Sequence, residues 1–171
     1  MDDMADDAAK EVAAGQRLMA EGDYKGALSR FNKATRVDPQ NPDGWFGKAE
    51  AAAALPQVAT DEIIGAYSKA RELQKDEGER AMIHSQLGAF ALREGKLELA
   101  EQSYKKAAEL DVENAPYYMS DLAIEYYMAV AKRMDEEGSN LELDAARKKS
   151  LAFFARALDL DPKDAARLLN L

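Results

Sequence analysis

The residues able to do chemistry are few and badly placed for it. The chain holds one histidine, His84, and no cysteine. Thiolate catalysis, disulfides, cysteine-ligated metal sites and any site needing two histidines are excluded. Asp135-Glu136-Glu137 is the densest acidic group, but it lacks the glycine and the bidentate end of a calcium loop, so a solvated helix end accounts for it. Gly22 and Gly26 lead to no lysine-serine pair, so there is no phosphate-cradling loop. Lys132, Arg133 and Arg147-Lys148-Lys149 form a basic area that reads as a solvated helix face or, less simply, a contact for an acidic partner. No serine has a histidine and an acid arranged around it. Nothing here makes an enzyme, and no cofactor or metal is called for.

Composition points the same way. The net charge is -9, which repels nucleic-acid phosphates and anionic membrane surfaces. No apolar run approaches the roughly 20 residues of a membrane helix. The start, Met1 to Asp7, is acidic and unlike a signal peptide, so the cytoplasm is the expected compartment and residues 1–7 are expected to be disordered. Alanine, glutamate, lysine, leucine and arginine dominate, and β-branched residues are sparse, so the elements should be helices.

Those elements recur. Gly15, Ala49, Gly88 and Leu122 lie 34, 39 and 34 residues apart. A second series, Ala27-x-x-x-Phe31-x-x-Ala34, returns at Ala66/Ala70/Leu73, Ala100/Tyr104/Ala107 and Ser150/Phe154/Ala157, with spacings of 39, 34 and 50. The period is 34, with about 5 residues inserted near Leu55–Thr60 and about 16 between Tyr126 and Ser150. Each copy is a helix pair. Glu21-Gly22-Asp23 breaks the first pair, glycine stopping one helix and aspartate capping the next. Asp38-Pro39 ends the second helix, and Asn41 caps the following one with Pro42 at its first position. Thr60 is the expected cap after the first insertion. The second insertion lengthens the last pair to about 115–137 and 141–159, with Gly138-Ser139-Asn140 as its turn.

These positions carry a resemblance. Gly15, Tyr24, Ala27, Phe31, Ala34 and Pro39, like Gly88, Gly95, Ala100, Tyr104 and Ala107, resemble the tetratricopeptide repeat, and Trp45 stands where that repeat has its tryptophan. Glu11, His84 and Tyr118 take that site in the other copies, so His84 is read as a packing residue. The resemblance implies an all-α, right-handed superhelical solenoid of about four helix-turn-helix pairs, approximately 8–41, 42–80, 81–114 and 115–162. A short helix over 163–171, with an apolar face of Ala165, Ala166, Leu168, Leu169 and Leu171, should cap the stack.

In that family partner peptides usually lie in the groove lined by the first helices. By resemblance the groove here comprises Val12, Gln16 and Met19; Asp43, Phe46, Glu50 and Ala53; Met82, Ser85, Gln86, Ala89 and Arg93; and Met119, Ala123, Tyr126 and Tyr127. Methionine and aromatic side chains suit apolar anchors of varied shape, with Met19, Phe46, Met82 and Met119 as main contacts and Glu50 and Arg93 giving the rim one charge of each sign. Members that hold the acidic carboxyl terminus of heat-shock chaperones use lysine, asparagine and arginine at positions occupied here by Val12, Gln16, Gly47, Met82 and Gln86. None of these is basic, so that clamp is expected to be absent. The expected function is a protein-interaction module, an adaptor or an assembly or co-chaperone-like scaffold that binds a peptide or helix of a partner, with apolar anchors, in that groove. The alternative is a self-associating scaffold, with a homodimer as one form, whose groove or open end is filled by its own tail or by another copy.

Overall fold

A computed structural model describes residues 2–168, with side chains for 4–161 and 163–167. The expected all-α class holds: among the described residues every regular element is a helix. In order these are α1 (Asp2–Ala20), α2 (Tyr24–Val37), α3 (Pro42–Ala53), α4 (Thr60–Leu73), α5 (Glu77–Arg93), α6 (Leu97–Leu110), α7 (Ala115–Glu137), α8 (Leu141–Ala157) and α9 (Pro162–Leu168). They form two compact units, one up to Ile83 and one from His84, so α5 contributes to both.

Local chemistry sets the boundaries. At the end of α1, Asp23 N–H donates to Leu18 O (2.9 Å) and Gly22 N–H to Met19 O (3.1 Å), with Gly22 at φ +79°. This paired closure requires a left-handed residue, which glycine supplies without strain. The Asp23 carboxylate then accepts the Gly26 N–H at 2.9 Å and caps α2. Asn41 accepts from Asp43 N–H (2.9 Å), with Pro42 in the first turn of α3. The same closure ends α5, at Gly95. It ends α8 as well, where Leu160 N–H reaches Ala155 O (2.8 Å), but there the left-handed residue is Asp159, at φ 53°. A Cβ in that region carries a steric cost. Asp159→Gly is therefore expected to stabilise the protein by about 1 kcal/mol, read as a rise in the thermal midpoint. A fall would show that the aspartate is tied down by contacts worth more than its strain.

Two boundaries differ from the sequence reading. The helix α1 runs back to Asp2, through the acidic residues expected to lack structure. Among the described side chains Ala8 is the first one buried. At α4 the cap is Ala59, without a side-chain hydrogen bond, and Thr60 is already the first helical residue. The long pair appears as α7 and α8, joined by Gly138 at φ +80°, with Asn140 capping Leu143 N–H at 2.9 Å. Helix α9 packs on α8 and buries Ala165. Leu169 and Leu171 of the expected cap lie outside the described residues.

In the N-terminal unit, α1 packs on α2 and α3, and α3 on α4. The centre is the ring of Phe31, 1% exposed, held between two glycines. A Cβ on Gly15 would lie 2.7 Å from the ring, and one on Gly47 2.1 Å. The 34-residue periodicity therefore reflects a steric rule, in which first helices thin to glycine so that a second-helix aromatic can lie between them. The C-terminal unit repeats it, with a Cβ on Gly88 falling 2.6 Å from Tyr104. There α7 and α8 are joined by two edge-to-face aromatic pairs, Tyr126–Phe153 (5.2 Å) and Tyr127–Phe154 (6.1 Å).

Candidate functional site

In the N-terminal unit the glycine thinning that admits Phe31 also leaves a hollow over its ring. Gln16 and Met19 of α1, Asp43, Phe46, Gly47 and Glu50 of α3, and Glu79 and Met82 of α5 line a cleft of about 340 Å³ with Phe31. That is near the lower end of the roughly 300–1,000 Å³ of ligand clefts, so it has room for one or two side chains. Six of the groove residues expected from the sequence, Gln16, Met19, Asp43, Phe46, Glu50 and Met82, are brought together here. Val12 is not among them: it is 6% exposed and packs against Ala27 and Phe31. Ala53 is half-buried and does not line the cleft.

Second-layer contacts hold the cleft walls. The Tyr67 hydroxyl donates to Glu50, and its ring meets Phe46 at 6.2 Å in a tilted arrangement. Trp45 donates its indole N–H to Pro39 O (2.9 Å), pinning the turn before α3. Lys48 lies over the Trp45 ring at 5.5 Å and 3.9 Å from Glu62.

Three members of this cleft lie outside the groove expected from the sequence: Phe31, Gly47 and Glu79. Phe31 was read only as core, yet its ring is also part of the cleft wall. Glu79 falls outside the third copy, whose expected start is residue 81. The structure starts α5 at Glu77, and the Asp76 carboxylate accepts Glu79 N–H at 2.9 Å. Asp76-x-x-Glu79 is the pattern of a capped helix start, so the signal was present in the sequence.

The C-terminal unit treats its candidates differently. Met119, Ala123 and Tyr126 are buried at 7%, 0% and 3%. Tyr126 is engaged with Phe153, so these three serve packing within the unit. The large apolar residues that α7 leaves exposed are Tyr117, Ile124 and Met128, one helical face away from the expected set. Their register is regular, since Leu122 follows Gly88 by 34 residues; what differs is the partner, α8, whose Phe153 packs on Tyr126. Tyr127, Ser85 and Ala89 are half-buried, and Gln86 and Arg93 exposed. Arg93 sits 5.9 Å from the Phe90 ring. Glu50 and Arg93 thus belong to different units, and the N-terminal cleft has no cationic side chain on its wall.

A larger hollow of about 590 Å³ lies between α6, α7 and α8, but its charges answer one another. Glu101 accepts from Lys105 (2.6 Å) and Lys149 (2.8 Å). Burial alone would push the Glu101 carboxyl up, but the two ammoniums outweigh it and hold it below the ordinary carboxylate range. Arg133 pairs with Glu137 (3.3 Å) and lies 3.7 Å from Glu142, and Lys132 is 3.9 Å from Glu136. Most of the basic area read from the sequence is therefore matched by acids of its own chain. His84 is 8% exposed, in the core of its helix pair. Among the described residues no group of three or more histidine, cysteine, aspartate or glutamate side chains is arranged to hold a metal, and no helix is long and apolar enough to cross a membrane.

Stacked helix pairs, with glycines on first helices facing aromatics on second helices, define a helical-repeat protein. The comparisons give the family. Residues 15–55 match a sequence model described as TPR repeat, and residues 80–114 one described as Tetratricopeptide repeat. The chain is 24% identical over 142 residues to the small glutamine-rich tetratricopeptide repeat-containing protein 2 of Saccharomyces cerevisiae, covering 80% of this chain and 40% of that protein. It is 31% identical over 116 residues to a TPR repeat-containing protein of Methanocaldococcus jannaschii, covering 66% of this chain and 19% of that one. To the DnaJ homolog subfamily C member 3 of Bos taurus it is 31% identical over 107 residues, 58% of this chain and 19% of the relative. The chain belongs to the tetratricopeptide-repeat proteins. It spans less than half the length of these relatives.

Proposed function

We propose that the chain is a protein-interaction module of adaptor or co-chaperone type, whose N-terminal cleft receives an apolar anchor from an extended or helical segment of a partner. The observation that carries this is the convergence of Gln16, Met19, Phe46 and Met82, from three successive first helices, on one hollow backed by Phe31. Methionines can repack around anchors of different shape, while the Phe46 ring gives a fixed apolar wall. Kinship with a small glutamine-rich tetratricopeptide-repeat protein and with a DnaJ homolog supports the co-chaperone side of the reading.

Phe46→Ala and Met82→Ala are each expected to weaken partner binding by at least about 1 kcal/mol. Both side chains are partly exposed, so the protein should stay folded. The test is affinity capture with quantitative mass spectrometry, comparing wild type with the double variant, followed by calorimetric titration of any protein that the double variant fails to retain. Equal recovery by both proteins, with unchanged circular dichroism, would place the binding surface elsewhere.

A further inference from the structure

We infer that the N-terminal cleft selects a basic partner segment: a peptide carrying a bulky apolar side chain with lysine or arginine within about one helical turn of it. This rests on the cleft reading above and adds to it the charge of the partner. The apolar part of the wall is Met19, Phe31, Phe46 and Met82, and the ionic part is Asp43, Glu50 and Glu79. All three charges are negative. Among the described residues none of the three carboxylates is in an ion pair, whereas in the hollow of the C-terminal unit Glu101 is paired with Lys105 and Lys149, and Glu142 with Arg133.

One cation of α3 and one of α5 lie against other acids. Lys48 lies over Trp45 and near Glu62, and Arg80 lies 3.7 Å from Glu77. Glu50 accepts the Tyr67 hydroxyl, one bond for a group with about four acceptor sites. Asp43 and Glu79 stand in the first turns of α3 and α5, where the helix dipole accounts for an acid without supplying a partner for its cleft-facing side. Both are exposed. An incoming arginine or lysine could lay its aliphatic stem along Phe46 and Met82 and present its head to these carboxylates. The net charge of -9 would favour approach of the same partner. An acidic segment would meet three like charges in the same hollow, so the cleft discriminates by repulsion as well as attraction.

The test is selection of a random-peptide phage library on the full chain, with counter-selection on Phe46→Ala. Enriched peptides are then titrated by fluorescence anisotropy. The expected motif has lysine or arginine flanking the apolar anchor. Affinity should fall about tenfold or more in Asp43→Asn/Glu79→Gln, and should also fall as salt is raised from about 50 to about 500 mM. Both residues enter their caps through backbone N–H groups, so these isosteres leave the caps intact. Asp43→Lys/Glu79→Lys should shift the enriched motif towards acidic flanks. Peptides that need Phe46 but show no basic flank, and bind the neutral double variant within about twofold of wild type, would overturn the charge selection and leave the cleft standing. A library yielding no peptide that depends on Phe46 would overturn the cleft itself.

Discussion

Gly47→Ala is expected to destabilise the protein by about 1–3 kcal/mol, although alanine is the better helix former. Gly47 lies inside α3, where replacing glycine by alanine would ordinarily stabilise by roughly 0.5–1 kcal/mol. The sign reverses because of what the new methyl meets. It would lie 2.1 Å from Cε1 of Phe31, and Gly15 closes on the ring's other side, so the ring can yield only by moving off its site towards the cleft it lines. On that site Phe31 is 1% exposed. Overpacking a rigid, enclosed ring outweighs the gain in propensity. Phe31→Leu alone should cost stability by opening a cavity. Combined with Gly47→Ala it should recover part of the loss, because the smaller side chain vacates the space the methyl needs. The cycle, measured by urea titration and thermal melts, should show a coupling of about 0.5–3 kcal/mol. Strictly additive effects, or a stabilising Gly47→Ala, would mean that the ring is not clamped between the two glycines.

The same packing rule explains what could be read from the sequence. Gly15, Gly88, Phe31 and Tyr104 announced the repeat because a close approach of backbones tolerates few residue types. Breaks at Gly22 and Gly95 and the Asn41 cap were legible for a similar reason, since each depends on the conformation or hydrogen bond of one residue. At Ala70 the second copy lacks the aromatic that Phe31 and Tyr104 supply in the first and third. The structure shows the aromatic one turn earlier: Tyr67 is 1% exposed and fills the space while bonding Glu50. A fixed template cannot see such a shift, because volume can be supplied from either turn of the helix. The burial on α7 was illegible because it depends on the partner helix: Met119 and Tyr126 are buried, Tyr126 against Phe153 of α8, and Tyr117, Ile124 and Met128 are exposed. The acidity of the N-terminal cleft was half visible: Asp43 and Glu50 were named, but Glu79 joins them only once α5 begins at Glu77.

In the C-terminal unit, Tyr104→Ala is expected to cost about 3–5 kcal/mol and Tyr104→Phe about 1 kcal/mol. The ring is fully buried beside Gly88, so alanine would leave a cavity the size of the ring beside a backbone that cannot move in to fill it. Phenylalanine keeps the volume and removes one hydrogen bond, from the hydroxyl to Asp121 Oδ2 at 3.2 Å. It also recreates the arrangement of the first copy, where Phe31 occupies the same repeat position with no hydroxyl. A second readout separates the hydroxyl from the ring. Burial first, and then the negative Asp121, drive the Tyr104 phenol far above its ordinary value of 10.0, so it stays protonated in the folded state. In the unfolded chain it ionises near that ordinary value. Above about pH 10 the unfolded state therefore holds fewer protons than the folded one, and stability falls as pH rises. The wild type should lose stability more steeply than Tyr104→Phe between about pH 10 and pH 11, and the two curves should differ by a constant below about pH 9. Tyr118 and Tyr126 are also shifted upward, chiefly by burial, but they are common to both proteins and cancel in the comparison. Parallel curves across the alkaline range would show that the Tyr104 hydroxyl reaches solvent in the folded protein, and that its bond to Asp121 does not close the site.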